Sequence, residues 1–371
     1  MSDASGAIRR LGGPFLSPRE PGAPWPAVEW VKQNLLGSWF NTALTLVVLV
    51  LLGLSVPPFL RWAVANATLS GVSRAACNPD GACWAFIRER LPIFFVGRYP
   101  LEQVWRVPLA LAVVGGCAVP VLREHTRHRG LWLLALLTLA PAVAGVLLAG
   151  GILGLAYVDT NYWGGLLLDV VISFVTVAGS LPIGVLLALG RRSRLIAVRT
   201  LSIGFIELWR GVPLLTVLFM SAVMVPLFLP EGVTIDRLVR AMAALVMFNA
   251  AYMAEVVRGG LQGVAAGQEE AAYSLGLHWA QVQAKVVLPQ ALRIVMPGII
   301  NTVVDLFKDT TLVSIIGLSD LLGTVNVALK DPAWLGLATE GYVFSAVVFF
   351  VCCFAMSAYG RSFERRAGGE R

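Results

Sequence analysis

The sequence predicts an all-α fold, a polytopic helical membrane protein with about eight transmembrane helices. Of its 371 residues, 57% are hydrophobic and 14% are charged, and the mean hydropathy is +0.75. These values lie outside those of ordinary soluble domains. The net charge of +7 indicates cytoplasmic loops and anionic membrane lipid rather than nucleic acid, because no stretch of the chain interleaves basic and aromatic residues.

A helix needs about twenty mostly apolar residues to cross a bilayer, and the chain offers eight such stretches: 39–60, 106–122, 131–155, 166–190, 212–229, 238–257, 290–306 and 341–360. The apolar stretch 310–323 is short and flanked by polar residues, which predicts a partly buried or re-entrant segment. Residues 1–38 form a Pro/Gly-rich tail with no early apolar run, so we expect a cytoplasmic tail rather than a cleavable signal.

Arginine in the short loops predicts the orientation of these helices. Three loops are rich in arginine, at 123–129, 191–199 and 360–366, whereas 157–165 has none and 230–237 has one. Threading eight helices through these constraints places both termini in the cytoplasm of a bacterial inner membrane. The polar loop 258–289 then also lies in the cytoplasm, although it was not used to set the orientation.

The same orientation makes the long segment 61–104 extracytoplasmic. It contains Cys77 and Cys83 on either side of an Asn-Pro-Asp-Gly turn sequence. In an oxidising compartment these two cysteines would form a small disulfide loop, and the alternative is two free thiols. The remaining three cysteines lie in apolar stretches and are interpreted as packing residues.

The polar loop 258–289 interrupts the apolar sequence and predicts two short helices. The first would start after Gly267, with carboxylates in its opening turn, and Gly276 would end it. The second would run to Val287, where Leu288-Pro289 would stop it. Four residues at helical spacing give one apolar face: Leu275, Trp279, Val282 and Val286. That face fits either a hairpin lying on the membrane surface or a helix pair that docks on a partner.

The spacing within this loop resembles the EAA loop of permease subunits of ATP-binding-cassette (ABC) importers. The matching residues are Glu270, Ala271, Ala272, Gly276, Leu288 and Pro289. The chain has Val286 where the family usually has isoleucine, which is a small departure. In that family the loop is the coupling helix that docks on a cytoplasmic ATPase, so the resemblance implies this role for the six residues.

Two further segments are similar to the polar and general L-amino acid branch of these permeases. ELWRGVPLL at 207–215 contains Glu207 and Arg210, and the chain continues through a similar pair, Glu255 and Arg258, into the coupling loop. The resemblance implies a gating or structural role for these four residues, whereas a plain ion pair at each helix end is the alternative. NTVVDLFKDTTLVSIIG at 301–317 resembles the family's KDTSLVS segment, with threonine in place of serine.

Charged residues at membrane depth are costly and therefore point to function. The KDT segment offers Asp305, Lys308, Asp309 and Thr310 as candidates for a path that carries a zwitterionic amino acid. The alternative is that these charges lie at a helix end, in solvent or paired with each other.

The resemblance covers about 161–366 and implies a five-helix permease core, preceded by a transmembrane extension at 39–160. It also implies the partners: a second permease subunit, a cytoplasmic ABC ATPase dimer and a periplasmic amino acid binding protein. The four lysines all follow residues other than glycine, so the chain has no Walker A loop. We therefore expect no catalytic or metal site and no bound cofactor here, with ATP and Mg²⁺ used by the partner ATPase. A secondary transporter or a membrane scaffold is the alternative function, although a secondary transporter predicts an inverted repeat that the sequence does not show.

We predict that single cysteines placed at Asn161 and Gly232 react with an impermeant thiol reagent in intact cells. Cysteines at Ser193 and Ala266 should react only after the membrane is permeabilised. The assay measures labelling in a background from which the native cysteines are removed. Labelling at Ala266 in sealed cells would contradict the orientation and, with it, the cytoplasmic position of the loop 258–289.

Overall fold

A computed structural model describes residue 31 and residues 35–123, 126–152 and 154–369. In these ranges most of the chain is helical, and its only β contacts are isolated bridges. The predicted all-α membrane fold is confirmed. The predicted tail at 1–38 lies almost entirely outside the described residues.

The described chain divides into two compact units, the smaller of which comprises the residues up to Ala67 together with Pro79–Ala82. Its main element is α1, Trp39–Leu60, whose first turn is capped by the Ser38 hydroxyl. None of the residues of α1 is buried in the structure. A helix that is apolar on all sides is suited to a lipid environment.

The larger unit comprises Thr68–Asn78 and the residues from Cys83 onward. Its α-helices are α2 Trp84–Val96, α3 Arg106–Leu122, α4 Arg129–Leu134, α5 Ala140–Ala149, α6 Gly165–Arg191, α7 Ile196–Gly211, α8 Leu214–Phe219, α9 Val225–Leu227, α10 Arg237–Gly263, α11 Ala266–Ser274, α12 Trp279–Val282, α13 Leu288–Asp309, α14 Leu321–Ala328 and α15 Ala338–Gly369. Wide π-helical turns join α4 to α5, α8 to α9 and α12 to α13.

Seven helical runs in the described residues are long and apolar enough to cross a membrane, and a bent pair would make an eighth. The bent pair is Ile196–Gly211 with Leu214–Leu227, at an angle of 100°. The predicted span at 212–229 is therefore only the second arm of this element, and the first arm, α7, begins within the predicted loop 191–199. Pro213 at the break has no amide hydrogen to continue the first helix, which explains the bend.

The centre of the larger unit is the contact between α6 and α10. The face of α10 that is buried carries small residues: Ala241, Ala244, Ala250, Ala251 and Ala254. Opposite them, a Cβ atom added to Gly184 of α6 would lie 2.8 Å from the Cβ of Met253. Small residues let the two backbones approach closely, which is the usual basis of helix association in membranes.

The segment 61–104 is not the simple loop that the sequence suggested, because it contains α2. Phe86 of α2 packs against Phe94 and against Trp334, with ring centroids 5.7 Å apart in both pairs. Cys77 and Cys83 are joined as a disulfide, with their Cα atoms 5.6 Å apart. This part of the extension is therefore packed against the segment that precedes α15.

We predict that peptide mapping of the unreduced protein finds Cys77 linked to Cys83, because the fold holds the two residues at a disulfide distance. Substituting both by serine should lower the melting temperature of the purified protein, since it frees the turn between them. Recovery of both cysteines as free thiols, alkylated without a reductant, would contradict the pairing.

Candidate functional site

The coupling loop identified in the sequence forms two short helices that project between α10 and α13. Only two residues, Val264 and Ala265, separate the end of α10 from α11. Gly276 follows α11 with a φ of +78°, a left-handed conformation that side chains with a Cβ disfavour. The glycine thus permits the sharp turn into α12, whose first turn is closed by a hydrogen bond from the His278 backbone amide to the Gln281 side chain.

The two helices bury one side and expose the other. Ala272 and Val282 pack inward into an apolar cluster with α10 and α13, and Glu269 is held by Arg192, at 3.5 Å, and by Gln283. Glu270 and Ala271 are exposed. The predicted single apolar face is therefore wrong: Val282 is fully buried, whereas Leu275 is 81% exposed.

We call the exposed apolar residues of this loop the coupling patch: Tyr273, Leu275 and Trp279, which are 43%, 81% and 50% exposed. A cleft of about 520 Å³ adjoins the patch, with Arg192, Arg194 and Glu269 among its walls. Exposed aromatic and aliphatic side chains beside charged groups are typical of protein interfaces.

The second helix does not stop at Leu288-Pro289, as the sequence suggested. A π-helical turn at Gln283–Val287 carries the chain directly into α13, where Pro289 occupies the first turn. Proline is tolerated there because the first amides of a helix have no acceptor within it. The run Trp279–Ile316 is consequently continuous, and the coupling patch is mechanically attached to α13.

The four residues of the two Glu-x-x-Arg sequences meet at the loop-side ends of α6, α7 and α10. Glu255 is the centre: its carboxylate accepts hydrogen bonds from Arg258 at 2.7 Å and from Arg191 at 2.8 Å. Arg210 approaches the same carboxylate at 3.8 Å. Glu207 does not pair within its own helix but contacts Arg191 at 3.3 Å. We call these five residues the ion cluster.

Arg191 is the member that the sequence did not single out, because it belongs to an arginine-rich loop that was interpreted only through its charge. The feature of the sequence that could have indicated a shared ion cluster was the repetition of Glu-x-x-Arg at the ends of two helices. The Glu255 side chain is only 16% exposed, so it is the member whose charge depends most on its partners. The ion cluster joins three helices at the base of the coupling loop.

The charged residues of the KDT segment occupy the far end of α13. Asp305 and Lys308 pair with each other at 2.8 Å on an exposed face, with side chains 68% and 56% exposed. Asp309 is half-buried. Asp305 and Lys308 thus lie on a side of α13 that is exposed in the described part of the chain, with Asp309 at its edge, and Asn301 precedes them on the same face.

Thr310, which the sequence suggested as a path residue, does not share that face and instead has a structural position. It is fully buried, and its hydroxyl donates a hydrogen bond of 2.6 Å to the carboxylate of Asp169 in α6. Asp169 also accepts a hydrogen bond from the backbone amide of Leu321. Asp169 therefore holds both the KDT segment and α14 against α6.

Comparison with known proteins identifies the family of the chain. A model of the family described as "binding-protein-dependent transport system inner membrane component" matches residues 180–369, which contain the ion cluster, the coupling loop and the KDT segment. The chain belongs to this family. It is a permease subunit of an ABC transporter and a multi-pass component of the inner membrane.

Two relatives match along nearly the whole chain. The "inner membrane amino-acid ABC transporter permease protein YhdY" of Escherichia coli (strain K12) is 50% identical over 92% of this chain and 93% of its own length. The "glutamate/glutamine/aspartate/asparagine transport system permease protein BztC" of Rhodobacter capsulatus is 37% identical and covers 99% of each chain. The "glutamate/aspartate import permease protein GltK" of Escherichia coli O6:H1 is 32% identical over 54% of this chain and 91% of its own length. The first two relatives therefore share the N-terminal extension.

We predict that Glu255→Gln lowers the stability of the purified permease by about 1–3 kcal/mol, because it leaves three arginines without their shared carboxylate. Glu207→Gln is the matched control: its side chain is 58% exposed, and an exposed ion pair contributes about 0–1 kcal/mol. Thermal unfolding in detergent measures both. Equal shifts for the two variants would contradict the central position of Glu255 in the ion cluster.

Proposed function

We propose that this chain is the permease subunit of an ATP-driven importer of amino acids, and that it transmits ATPase movement through the coupling patch. The observation that carries the proposal is the exposed helix pair α11–α12, which is joined at each end to a long helix. The proposed partners are a second permease subunit, a cytoplasmic ABC ATPase dimer and a periplasmic binding protein. ATP and Mg²⁺ would bind to the ATPase.

The substrate class is supported by the relatives that share the full length of the chain. One is named an amino-acid permease and the other a permease for glutamate, glutamine, aspartate and asparagine. Asp305, Lys308 and Asp309 supply both signs of charge, as recognition of a zwitterion requires. We infer that their uncovered face of α13 lines the translocation path against the second permease subunit.

The proposed coupling uses the continuity of the helices. Movement of Trp279 would pass along the unbroken run to Ile316, which includes Asp305 and Asp309. At the other end of the loop, only two residues separate α10 from α11, so α10 would move when α11 is displaced. The ion cluster at the end of α10 would keep α6 and α7 together while the loop is displaced.

The proposed orientation places the termini and the coupling loop in the cytoplasm and the Cys77–Cys83 disulfide outside. The arginines of the ion cluster lie near the coupling loop, in agreement with the positive-inside rule. An oxidising external compartment would preserve the disulfide.

We predict that Glu270→Lys and Gly276→Asp lower recovery of the ATPase with the permease by at least about tenfold. Loss of one hot-spot contact of about 2 kcal/mol has an effect of this size. Glu270→Lys reverses an exposed charge on α11, and Gly276→Asp forces a side chain into a left-handed turn. Copurification from membranes, followed by substrate-stimulated ATP hydrolysis, measures the effect.

The matched control for these variants is Glu231→Lys, which reverses another exposed glutamate in the loop before α10. It should leave ATPase recovery and hydrolysis unchanged, because the proposed orientation places it on the opposite side of the membrane. All three variants should reach the membrane at normal levels. Normal ATPase recovery with Glu270→Lys and Gly276→Asp would refute docking through this loop.

We also predict that Asp305→Asn or Asp309→Asn lowers amino acid uptake at least about tenfold or changes which amino acid is taken up. A charge-assisted contact of about 1.5–3 kcal/mol would be lost in each case. Uptake is measured in proteoliposomes containing the complete importer, with recovery of the ATPase as the control for assembly. Unchanged uptake and selectivity in both variants would show that the path runs elsewhere.

A further inference from the structure

The cleft beside the coupling patch has a second wall that the proposed coupling does not use. One wall comes from α11 and from the helical run that begins at Trp279, and the other comes from residues 192–195 between α6 and α7. We call residues 192–195 the α6–α7 turn. The sequence marked this turn only as part of an arginine-rich loop. The cleft is thus shared by two loops that are distant in the chain.

The α6–α7 turn is held by its own hydrogen bonds and by one ion pair to the coupling loop. The backbone amides of Arg192 and Ser193 donate to carbonyls in the last turn of α6. The Ser193 hydroxyl accepts a hydrogen bond of 3.1 Å from the amide of Leu195, as is common in tight turns. Arg192 reaches Glu269 of α11 at 3.5 Å. The turn and the coupling loop therefore present a common surface.

The cleft carries one uncompensated positive charge. Glu269 is paired with Arg192 and also accepts a hydrogen bond of 3.2 Å from Gln283. Arg194 is exposed, and in the described part of the chain its side chain forms no ion pair or hydrogen bond. A guanidinium offers five N–H donors in a planar fork that matches a carboxylate or a phosphate. The charge of the cleft therefore favours an anionic group.

The other residues around the cleft favour a protein as the source of that anion. Tyr273 and Trp279 line it beside Arg194, and tyrosine, tryptophan and arginine are the residue types that dominate binding energy at protein interfaces. Exposed aliphatic surface continues beyond the cleft, from Leu195 at 67% exposure to Leu275 at 81%. A small solute inside the cleft would leave Leu275 in water, whereas a protein seated on the coupling patch would cover both leucines.

The position of the turn places the cleft on the aqueous side of the membrane. α6 has 27 residues and is therefore about 40 Å long, whereas the hydrocarbon core of a bilayer is about 30 Å thick. The α6–α7 turn follows the last residue of this helix, Arg191. A soluble subunit thus has access to the cleft, and a lipid headgroup is the competing source of negative charge.

We propose that Arg194 is a second docking residue for the ATPase, outside the coupling loop, and that it binds a carboxylate on the ATPase surface. This inference rests on the proposed function, in which the ATPase docks on the coupling patch. The ATPase would then hold the permease at two points, the coupling loop and the α6–α7 turn. Movement of the ATPase would act directly on α6 and α7 as well as on α10 and α13.

The test compares variants of Arg194 in the assembled importer by copurification of the ATPase from membranes. Arg194→Glu reverses the charge and should lower ATPase recovery at least about tenfold, which is the effect of losing one charge-assisted hydrogen bond. Arg194→Lys keeps the charge without the planar fork and should retain more ATPase than Arg194→Gln. The matched control is Arg199→Glu, because Arg199 of α7 is also exposed but does not line the cleft. It should leave recovery unchanged.

Salt concentration and lipid composition distinguish a protein contact from a lipid contact. Ions screen an exposed charge pair, so raising the NaCl concentration should lower wild-type recovery more steeply than that of Arg194→Gln. The difference between wild type and Arg194→Glu should be the same in nanodiscs of phosphatidylcholine alone and in nanodiscs that also contain phosphatidylglycerol. A difference that requires phosphatidylglycerol would assign Arg194 to an anionic lipid and overturn the proposal.

Failure of this inference differs from failure of docking through the coupling loop. Normal ATPase recovery with Arg194→Glu, while Gly276→Asp loses the ATPase, overturns the role of Arg194 and leaves docking through the loop in place. An equal loss with Arg199→Glu also overturns it, because the effect would then follow from the charge of this membrane face alone. The amount of permease in the membrane is the control for folding of each variant.

Discussion

The close contact between α6 and α10 is the constraint on which the other features depend. It requires small residues on both helices, as at Gly184 and Ala254. At one end of the pair, Arg191 of α6 reaches Glu255 of α10. At the other end, α6 presents Asp169 to the KDT segment and to α14. A larger residue at Gly184 would separate the helices and strain the contacts at both ends.

A polar group that is buried in a membrane protein without a partner costs several kcal/mol, because hydrocarbon offers it no hydrogen bond. The carboxylates that hold the ends of the helices therefore require partners inside the protein. Glu255 meets this requirement with arginines from three helices, and Asp169 meets it with a hydroxyl and a backbone amide. These contacts fix the ends of α6 relative to the coupling loop and the KDT segment, while the coupling patch and the Asp305–Lys308 pair remain exposed.

The sequence allowed the membrane fold and the approximate helix positions to be predicted, because both depend on local hydropathy and length. It also predicted the two short helices in the loop 258–289 and the turn at Gly276. It did not reveal that two helices form one element bent at Pro213, nor that the helical run continues through Pro289. A proline in a sequence can mark either the end of a helix or its first turn. The roles of Arg191, Asp169 and Thr310 depend on partners 16 to 152 residues away in the chain, and spacing alone does not identify such pairs.

The central claim is that movement of the coupling loop reaches the exposed face of α13 through one continuous helix. A cysteine at Asn301, on the same exposed face as Asp305, reports this directly in the assembled importer. We predict that ATP changes the rate at which this cysteine reacts with a thiol reagent, and that Gly276→Asp abolishes the change because it weakens docking of the ATPase on the loop. An equal effect of ATP with and without Gly276→Asp would contradict the account.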